Sequence, residues 1–153
     1  MEPALPSLLA TISPYITLVG FVIGLGAVTV IDLLGWLGRH SPYWTEATIR
    51  THKVTKPLIW LGFLLVLFGG SLLLYSLSFP PLSWLFFVIL LLLIINGFFL
   101  SFIVSPYLLS REQAGLANEP LPVTWQRNII FSFIISFLGW WSSLIIVIRL
   151  ISN

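Results

Sequence analysis

The sequence contains no cysteine and has few charged residues. The absence of cysteine excludes disulfide bonds, thiolate metal sites, iron–sulfur clusters and covalently attached c-type haem. Charged residues make up 8% of the 153 positions and hydrophobic residues 58%, whereas about a quarter of the positions in a soluble domain are charged. We therefore expect most of this chain to be unstable in water.

Basic residues are also scarce: the chain has seven Lys and Arg residues, and its formal net charge is only +2. Binding to phosphate groups needs many Lys and Arg side chains on one face, so we expect no nucleic-acid partner. The first residues up to Pro14 include Glu2 but no Lys or Arg, and a signal peptide would need a positive region there. We therefore expect the first hydrophobic segment to stay in the mature protein.

The hydrophobic residues form four long runs, at about residues 15–37, 57–78, 82–109 and 127–151. A helix of about 20 apolar residues crosses the roughly 30 Å hydrocarbon layer. Barrel strands would alternate apolar and polar residues, whereas every residue from Leu85 to Ile95 is apolar. The sequence predicts an all-α membrane protein: a single domain, residues 1–153, with four transmembrane helices in an up-down antiparallel bundle.

Proline and glycine residues indicate where these helices end. Pro80 and Pro81 close a short connection, which predicts that the second and third spans form an antiparallel hairpin. Pro106 predicts a bend near the end of the long third span. Gly115 is a natural helix stop, with Arg111 in the last turn, where a cation suits the helix dipole.

The connection between the first two spans is predicted to contain a separate short helix. Ser41 would be its N-cap and Pro42 its first residue. This helix would lie along the membrane surface and carry Tyr43, Trp44, Ile49 and Arg50 there. Pro57 would then begin the second span. Thr124 is predicted as the N-cap of the fourth span.

Lys and Arg residues lie mainly on one side of the predicted membrane. The two long connections contain six of them, Arg39, Arg50, Lys53, Lys56, Arg111 and Arg127, and the opposite side only Arg149. By the positive-inside rule both long loops are cytoplasmic and both termini lie outside. We expect a multi-pass protein of the cell membrane, the inner (plasma) membrane of a bacterium.

Small residues recur along one face of every predicted span. They are Gly20, Gly24 and Val28, in line with Asp32; Gly62, Gly69 and Ser76; Gly97, Ser101 and Ser105; and Ser132, Ser136, Gly139 and Ser143. Small side chains let helices approach closely in lipid, so these faces are predicted to pack together. The alternative is a passage for solute or lipid.

Asp32 is the one charged residue within the first run. A carboxylate at the membrane centre costs about 2.5–3.5 kcal/mol, which makes Asp32 a candidate functional residue. We expect a polar intramembrane cluster that comprises Asp32, Thr29, Lys56, Ser105, Ser132 and Asn96. The favoured interpretation is structural, in which Asp32 pairs with Lys56 or Arg127 or accepts hydrogen bonds from Thr29 and the serines. The alternative is proton or ion handling.

Asn96 lies near the middle of the third run, where a buried amide needs a partner on another helix. Trp140 and Trp141 are at a similar depth in the fourth run, away from the usual interfacial belt. A contact between Asn96 and one of these two tryptophans would satisfy both residues. We expect this contact rather than a ligand-binding role.

His40 and His52 are the only histidines, and both lie in or near the first long connection. Two inward-facing histidines on adjacent helices could bind b-type haem, but these positions suit that role poorly. Structural or solvated histidines are the favoured interpretation. Binding of haem b, or a quinone-linked redox function, by His52 and His40 is the alternative. We expect no catalytic residues and no metal site, because the spans contain no HExxH motif and no phosphate-binding glycine loop.

Four segments carry a resemblance to known proteins: GLGAVTVIDLL at 24–34, HKVTKPLIW at 52–60, IINGFFLSFIVSP at 94–106 and SFLGWWSSLII at 136–146. The chain resembles a family of small four-helix bacterial membrane proteins that is similar to the membrane domains of CopD-type copper-resistance proteins. The resemblance implies a fold more than a function. Some such relatives look to have a histidine where this chain has Ser101, and that difference disfavours haem.

The favoured function is therefore a non-enzymatic membrane protein, either a structural or accessory subunit or a self-associating one. Its expected partners are the lipid bilayer and either further copies of the chain or other membrane subunits. The first alternative is a small transporter or a proton- or ion-conducting protein that uses Asp32. The second is the haem or quinone protein described above.

Overall fold

The computed structural model describes residues 4–38, 41–117 and 119–152, and these contain helices but no strand. The helices are α1 (Ala4–Gly38), α2 (Pro42–Ser76), α3 (Ser83–Phe99), α4 (Ser105–Gln113) and α5 (Val123–Ile151), and a π-helical turn (Leu100–Val104) joins α3 to α4. Four helical segments are long and apolar enough to cross a membrane, with α3, the π-helical turn and α4 forming one of them. The prediction of four helical spans is confirmed.

Large apolar side chains cover the outside of the bundle. Val22 is 76% exposed, Trp84 is 79% exposed and Phe131 is 66% exposed, and each lies on a different span. A surface of this kind is unfavourable in water but suits the hydrocarbon of a bilayer. The chain is therefore a multi-pass membrane protein.

α1 and α2 run antiparallel and pack most closely of all the pairs. Gly24 lies against Gly62, and Thr17 lies against Gly69 seven residues further along each helix. A Cβ atom added to Gly69 would lie only 2.7 Å from the Thr17 backbone nitrogen. The two backbones are therefore in contact, and the small-residue face predicted for these two helices is confirmed.

α5 packs on both α3 and α1 and so closes the bundle. Asn96 of α3 bonds to Ser132 of α5, while Leu93 lies against Gly139, which shows that α3 and α5 are antiparallel. The ring of Trp140 lies against the first helix. Together these contacts produce the predicted up-down arrangement.

α2 and α3 follow each other through a short connection at Pro80 and Pro81, as predicted, but their backbones lie further apart than those of α1 and α2. Aromatic side chains fill the space between them. The Trp60 and Phe98 rings are 5.5 Å apart, and Phe86 is fully buried. This wider spacing leaves room for a cavity inside the bundle.

Two predicted helix boundaries are wrong. The separate surface helix does not form, because α2 begins at Pro42 and continues without a break through Pro57. A proline removes one backbone donor, and membrane helices tolerate that loss. The fourth span begins at Val123 with Pro122 as its N-cap, so Thr124 is already inside the helix.

Other boundaries agree with the sequence. Ser41 does precede Pro42 as the N-cap, although its side chain makes no capping bond. Gly115 has φ +75° and follows the end of α4. Its backbone N–H donates to Glu112, and that of Leu116 donates to Arg111. These two bonds form a Schellman motif, which only a residue tolerant of positive φ permits at this position.

Candidate functional site

A cavity of about 140 Å³ lies inside the bundle and is lined by residues of all four spans. Most of the lining is apolar. The polar side chains include Asp32 of α1, His52 and Lys56 of α2, Ser101 of the π-helical turn and Ser132 of α5. An apolar cavity with a few converging polar groups is the usual form of a small-molecule site.

Asp32 and His52 lie at the same level on the two neighbouring helices α1 and α2. The contact between Gly38 and Thr45 lies on one side of them along the helix pair, and the contact of Gly24 with Gly62 lies on the other side. Both side chains line the cavity. A carboxyl group and an imidazole therefore share one wall of the cavity.

Both groups have a buried atom without a partner in the described part of the chain, namely Oδ2 of Asp32 and Nε2 of His52. A buried polar atom that lacks a hydrogen bond costs about 1–3 kcal/mol. Such atoms are rare in native structures and call for an explanation, such as strain, a catalytic role or a bound water or ion. Here two of them belong to residues that line the same cavity.

Lys56 does not pair with Asp32, contrary to the structural interpretation. Its Nζ atom donates to the backbone oxygen of Ser101 at 3.2 Å. Arg127, the other expected partner, is exposed. Among the residues described, Asp32 takes part in no ion pair, because the ion pairs there join Arg50 to Glu46 and Lys53 to Glu112.

The π-helical turn explains why the Ser101 carbonyl is available to Lys56. In this turn the Ser105 N–H donates to Leu100, five residues back, rather than to Ser101. The donor five residues after Ser101 would be Pro106, which has no N–H. The Ser101 carbonyl is therefore left without these helical donors and is available to Lys56. Single π-helical turns inside α-helices are frequent at functional sites.

The Ser101 side chain is held as well, because Trp60 Nε1 donates to Ser101 Oγ at 3.0 Å. Ser101 thus joins α2 to the π-helical turn through both its backbone and its side chain. This local change of helix type lies directly before Pro106, and the bend expected there stays a prediction. Its contribution to the site could not be read from the sequence.

Asn96 has its partners on α5, although not the predicted ones. Its Nδ2 atom donates to the Ser132 backbone oxygen at 3.1 Å and to Ser136 Oγ at 2.9 Å. Ser132 Oγ donates to Asn96 Oδ1 at 2.6 Å. The expected contact with Trp140 or Trp141 is wrong, because serine hydroxyls one helical turn apart satisfy the amide better than a single indole donor.

The two tryptophans have other environments. Trp140 is buried against Gly24 and makes an edge-to-face contact with Phe21, with ring centroids 6.1 Å apart. Trp141 is 41% exposed and lies beside Phe137. Trp140 therefore closes one end of the cavity, and Trp141 faces the lipid side.

Only some residues of the predicted polar cluster lie at the cavity. Asp32, Lys56 and Ser132 line the cavity, and Asn96 is bonded directly behind Ser132. Thr29 is exposed and donates to the Leu25 backbone oxygen of its own helix. Ser105 is buried but does not line the cavity. The structure adds further polar lining residues that the predicted cluster lacked: Thr45, Thr48, His52, Ser101, Gln126 and Ser136.

The two histidines differ in how far the structure describes them. His52 lines the cavity, whereas His40, like Arg39, lies outside the described residues. Across the described ranges there is no group of three or more His, Asp or Glu side chains that could hold a metal ion. The haem alternative therefore stays a prediction.

The central core closes one end of the cavity, with Phe63, Leu93 and Trp140 both in this core and on the cavity wall. At the other end a second apolar cluster, Ile49, Val104 and Leu108, forms part of the wall, and the Tyr107 and Trp125 rings stack 3.9 Å apart beside it. The lining continues past this cluster to Thr45 and Leu121, so the cavity extends toward the long loops.

No family model matches this chain, and neither the curated proteins nor the solved structures include a significant match.

Proposed function

We propose that the chain is a non-catalytic, multi-pass membrane protein that binds a small molecule with a polar group inside its four-helix bundle. The observation that carries this proposal is the shared cavity of Asp32 and His52, where Oδ2 and Nε2 lack partners in the described structure. A bound molecule that hydrogen-bonds to both atoms would offset their cost of burial.

Ligand binding accounts for the site better than a purely structural role of Asp32 does. In a structural role Asp32 would pair with Lys56, whereas Lys56 bonds to the Ser101 carbonyl. The polar groups that do hold the helices together, Asn96 with Ser132 and Ser136, have their hydrogen bonds complete. Three other buried atoms, Ser13 Oγ, Ser83 Oγ and Arg111 Nε, also lack a partner in the described structure, but only Asp32 and His52 among the five residues line the cavity.

Conduction of protons or ions fits the cavity less well. A conducting path needs polar groups or water along the bundle, and the core next to the cavity contains Phe21, Phe86 and Trp140. Catalysis also lacks support, since His52 Nε2 bonds no hydroxyl group in the part that the structure describes. An activated nucleophile requires such a pair.

The proposal includes the orientation that the charges predict. Both long loops lie in the cytoplasm, both termini lie outside, and the membrane is a bacterial plasma membrane. Because the chain has no native cysteine, single Ser41→Cys and Ser152→Cys variants can be labelled in intact cells with an impermeant maleimide. Labelling of Ser152→Cys alone is the expected result, and labelling of both from outside contradicts the orientation.

Native mass spectrometry tests the binding function directly. The protein is extracted from its own membrane into lipid nanodiscs, and we expect a bound small molecule that Asp32→Leu and His52→Leu both remove. Thr29→Leu is the matched control, because Thr29 lies on α1 but does not line the cavity. A wild-type protein without any bound molecule, or one whose molecule survives both substitutions, contradicts the proposal.

Association with further copies or other subunits stays a prediction. Its test is the mass of the complex in mild detergent, where a single unassociated chain would contradict it.

A further inference from the structure

The cavity runs from the central core to the end of the bundle at which the long loops lie. Trp140 lines it at the core end. At the other end the lining includes Gly38, which is the last residue of α1, Thr45 near the start of α2, and Leu121 and Gln126 on either side of the start of α5. The cavity therefore reaches the level at which the helices leave the membrane.

Contacts between neighbouring helices close the sides of the cavity. The Trp36 ring of α1 contacts the Phe133 ring of α5, with centroids 6.4 Å apart. The α1 and α2 backbones touch, Trp60 of α2 bonds to Ser101, and Asn96 joins α3 to α5. The route that remains is the loop end, which water reaches. A molecule that takes this route is water-soluble.

A carboxylate and an ammonium group line this cavity without pairing with each other. Oδ2 is the only one of the two Asp32 carboxyl oxygens that is buried without a partner. The carboxyl group makes no hydrogen bond among the described residues, so Oδ1 keeps accessible surface. Lys56 Nζ makes one hydrogen bond there, to the Ser101 backbone oxygen, although an ammonium group has three donors. Both groups can therefore bind a further partner.

The two charged groups lie at different depths in the cavity. Asp32 is level with His52, and Lys56 follows His52 by four residues along α2, in the direction of the core. Four residues of α-helix correspond to about 6 Å along the axis. A molecule that bridges the two groups therefore has its cationic end toward the loops and its anionic end toward the core.

The charge and size of the cavity restrict the molecule further. An amine alone would leave Lys56 without an anion, and a carboxylate alone would leave Asp32 without a cation, and an uncompensated buried charge is costly. The volume of about 140 Å³ is close to that of an engineered cavity of about 150 Å³ that takes up benzene. Alanine has as many non-hydrogen atoms as benzene and carries both charges.

We propose that the cavity binds a small zwitterion of the amino-acid class, which enters from the aqueous side at the loop end. Its ammonium group donates to Asp32 Oδ1, and its carboxylate accepts from Lys56 Nζ. This inference rests on the proposed function, because it names the class of molecule that the same site binds. It involves no covalent step.

Equilibrium dialysis of radiolabelled compounds tests the class, with the full chain in nanodiscs of synthetic phosphatidylcholine and empty nanodiscs as the blank. We expect saturable binding of L-alanine or of its isomer β-alanine, in which the two charges are further apart. Ethylamine lacks the carboxylate and propionate lacks the ammonium group. Each is expected to bind at least tenfold more weakly than the better isomer, a difference of about 1.4 kcal/mol. Equal binding of ethylamine or propionate overturns the zwitterion class.

Two conservative variants assign the charges. Asp32→Asn should weaken binding of the zwitterion at least tenfold and reduce its advantage over propionate to less than about twofold, because the cationic end then has no carboxylate. Lys56→Gln should do the same relative to ethylamine. A purely structural role of either residue would weaken all compounds together, and that result contradicts the assignment. Thr29→Leu, outside the cavity on α1, should change binding by less than about twofold.

Two cysteine variants test the route, since the chain has no native cysteine. Leu121→Cys lies on the lining at the loop end, and coupling to a bulky water-soluble maleimide should weaken zwitterion binding at least tenfold. Val123→Cys is the matched control, because Val123 is 81% exposed and does not line the cavity. Its labelling should change binding by less than about twofold. Equal binding by the two labelled variants overturns the loop-end route.

The outcomes separate this inference from the proposed function. If the wild-type protein retains an Asp32-dependent molecule from its own membrane but binds neither alanine isomer, the zwitterion class is wrong while small-molecule binding stands. If neither a native molecule nor a zwitterion binds, both proposals fail.

Discussion

Replacement of Asp32 by leucine is expected to make the empty protein more stable. In the described structure Asp32 Oδ2 is buried and has no hydrogen-bond partner, so its burial is not compensated when the cavity holds no ligand. Leucine is larger than aspartate, but the side chain faces a cavity of about 140 Å³ that can accommodate it. The substitution therefore removes an unfavourable group without overpacking the core.

The magnitude follows from the cost of an unsatisfied buried group, which is about 1–3 kcal/mol. We expect the free energy of unfolding to rise by about this amount. Since about 1.4 kcal/mol corresponds to a tenfold change in an equilibrium constant, the folded state should gain roughly fivefold to 150-fold over the unfolded one. A gain in stability accompanied by loss of binding is typical of a functional residue.

Reversible unfolding in mixed micelles with a rising fraction of dodecyl sulfate measures this change, with tryptophan fluorescence as the signal. The protein is first washed free of native lipids so that no bound molecule stabilises the wild type. Thr29→Leu is the control. Thr29 is exposed on the same helix and bonds only within it, so its replacement should change the free energy by less than about 0.5 kcal/mol.

A loss of about 1 kcal/mol or more for Asp32→Leu, with Thr29→Leu unchanged, would refute the reasoning. Asp32 would then have a structural partner in the folded protein. The interpretation of the cavity as a binding site would lose its main support.

Other substitutions test the packing. Asn96→Leu removes the three hydrogen bonds to α5 and should cost about 1–2 kcal/mol in the same unfolding assay, because such bonds average about 0.6 kcal/mol each in membranes. Gly62→Ala places a methyl group against the Gly24 backbone and should destabilise the protein by about 1–3 kcal/mol, whereas Gly26→Ala, in open space, should be nearly neutral. Gly115→Ala imposes the φ of +75° on a residue with a Cβ atom and should cost about 1–2 kcal/mol, visible as faster hydrogen exchange at the end of α4.

Much of the fold follows from patterns that can be read along the chain. The four apolar runs predict four helices, because a backbone in lipid must satisfy its hydrogen bonds internally. The glycines at 20, 24, 62 and 69 predict a close helix contact, and the structure forms it between α1 and α2. Gly115 and Arg111 predict the end of α4 correctly, since the Schellman motif depends on adjacent residues only.

The errors arise where a local signal competes with a neighbouring helix. Pro57 looks like a helix start in isolation, yet α2 continues through it because packing along α1 favours an unbroken helix. Asn96 needs a partner on another helix, but the partners depend on the rotation of α5. That rotation places Ser132 and Ser136, rather than a tryptophan, next to the amide.

The sequence by itself determined that the chain lies in lipid, that it has four spans and that Asp32 is a candidate functional residue. Hydropathy and the cost of a charge in lipid depend only on the composition of one segment. Only the tertiary structure decided the site. It placed His52 level with Asp32 on one cavity, and it bonded Lys56 to the Ser101 carbonyl rather than to Asp32. These features depend on how four helices are spaced and rotated against one another, and no single segment of the chain contains that information.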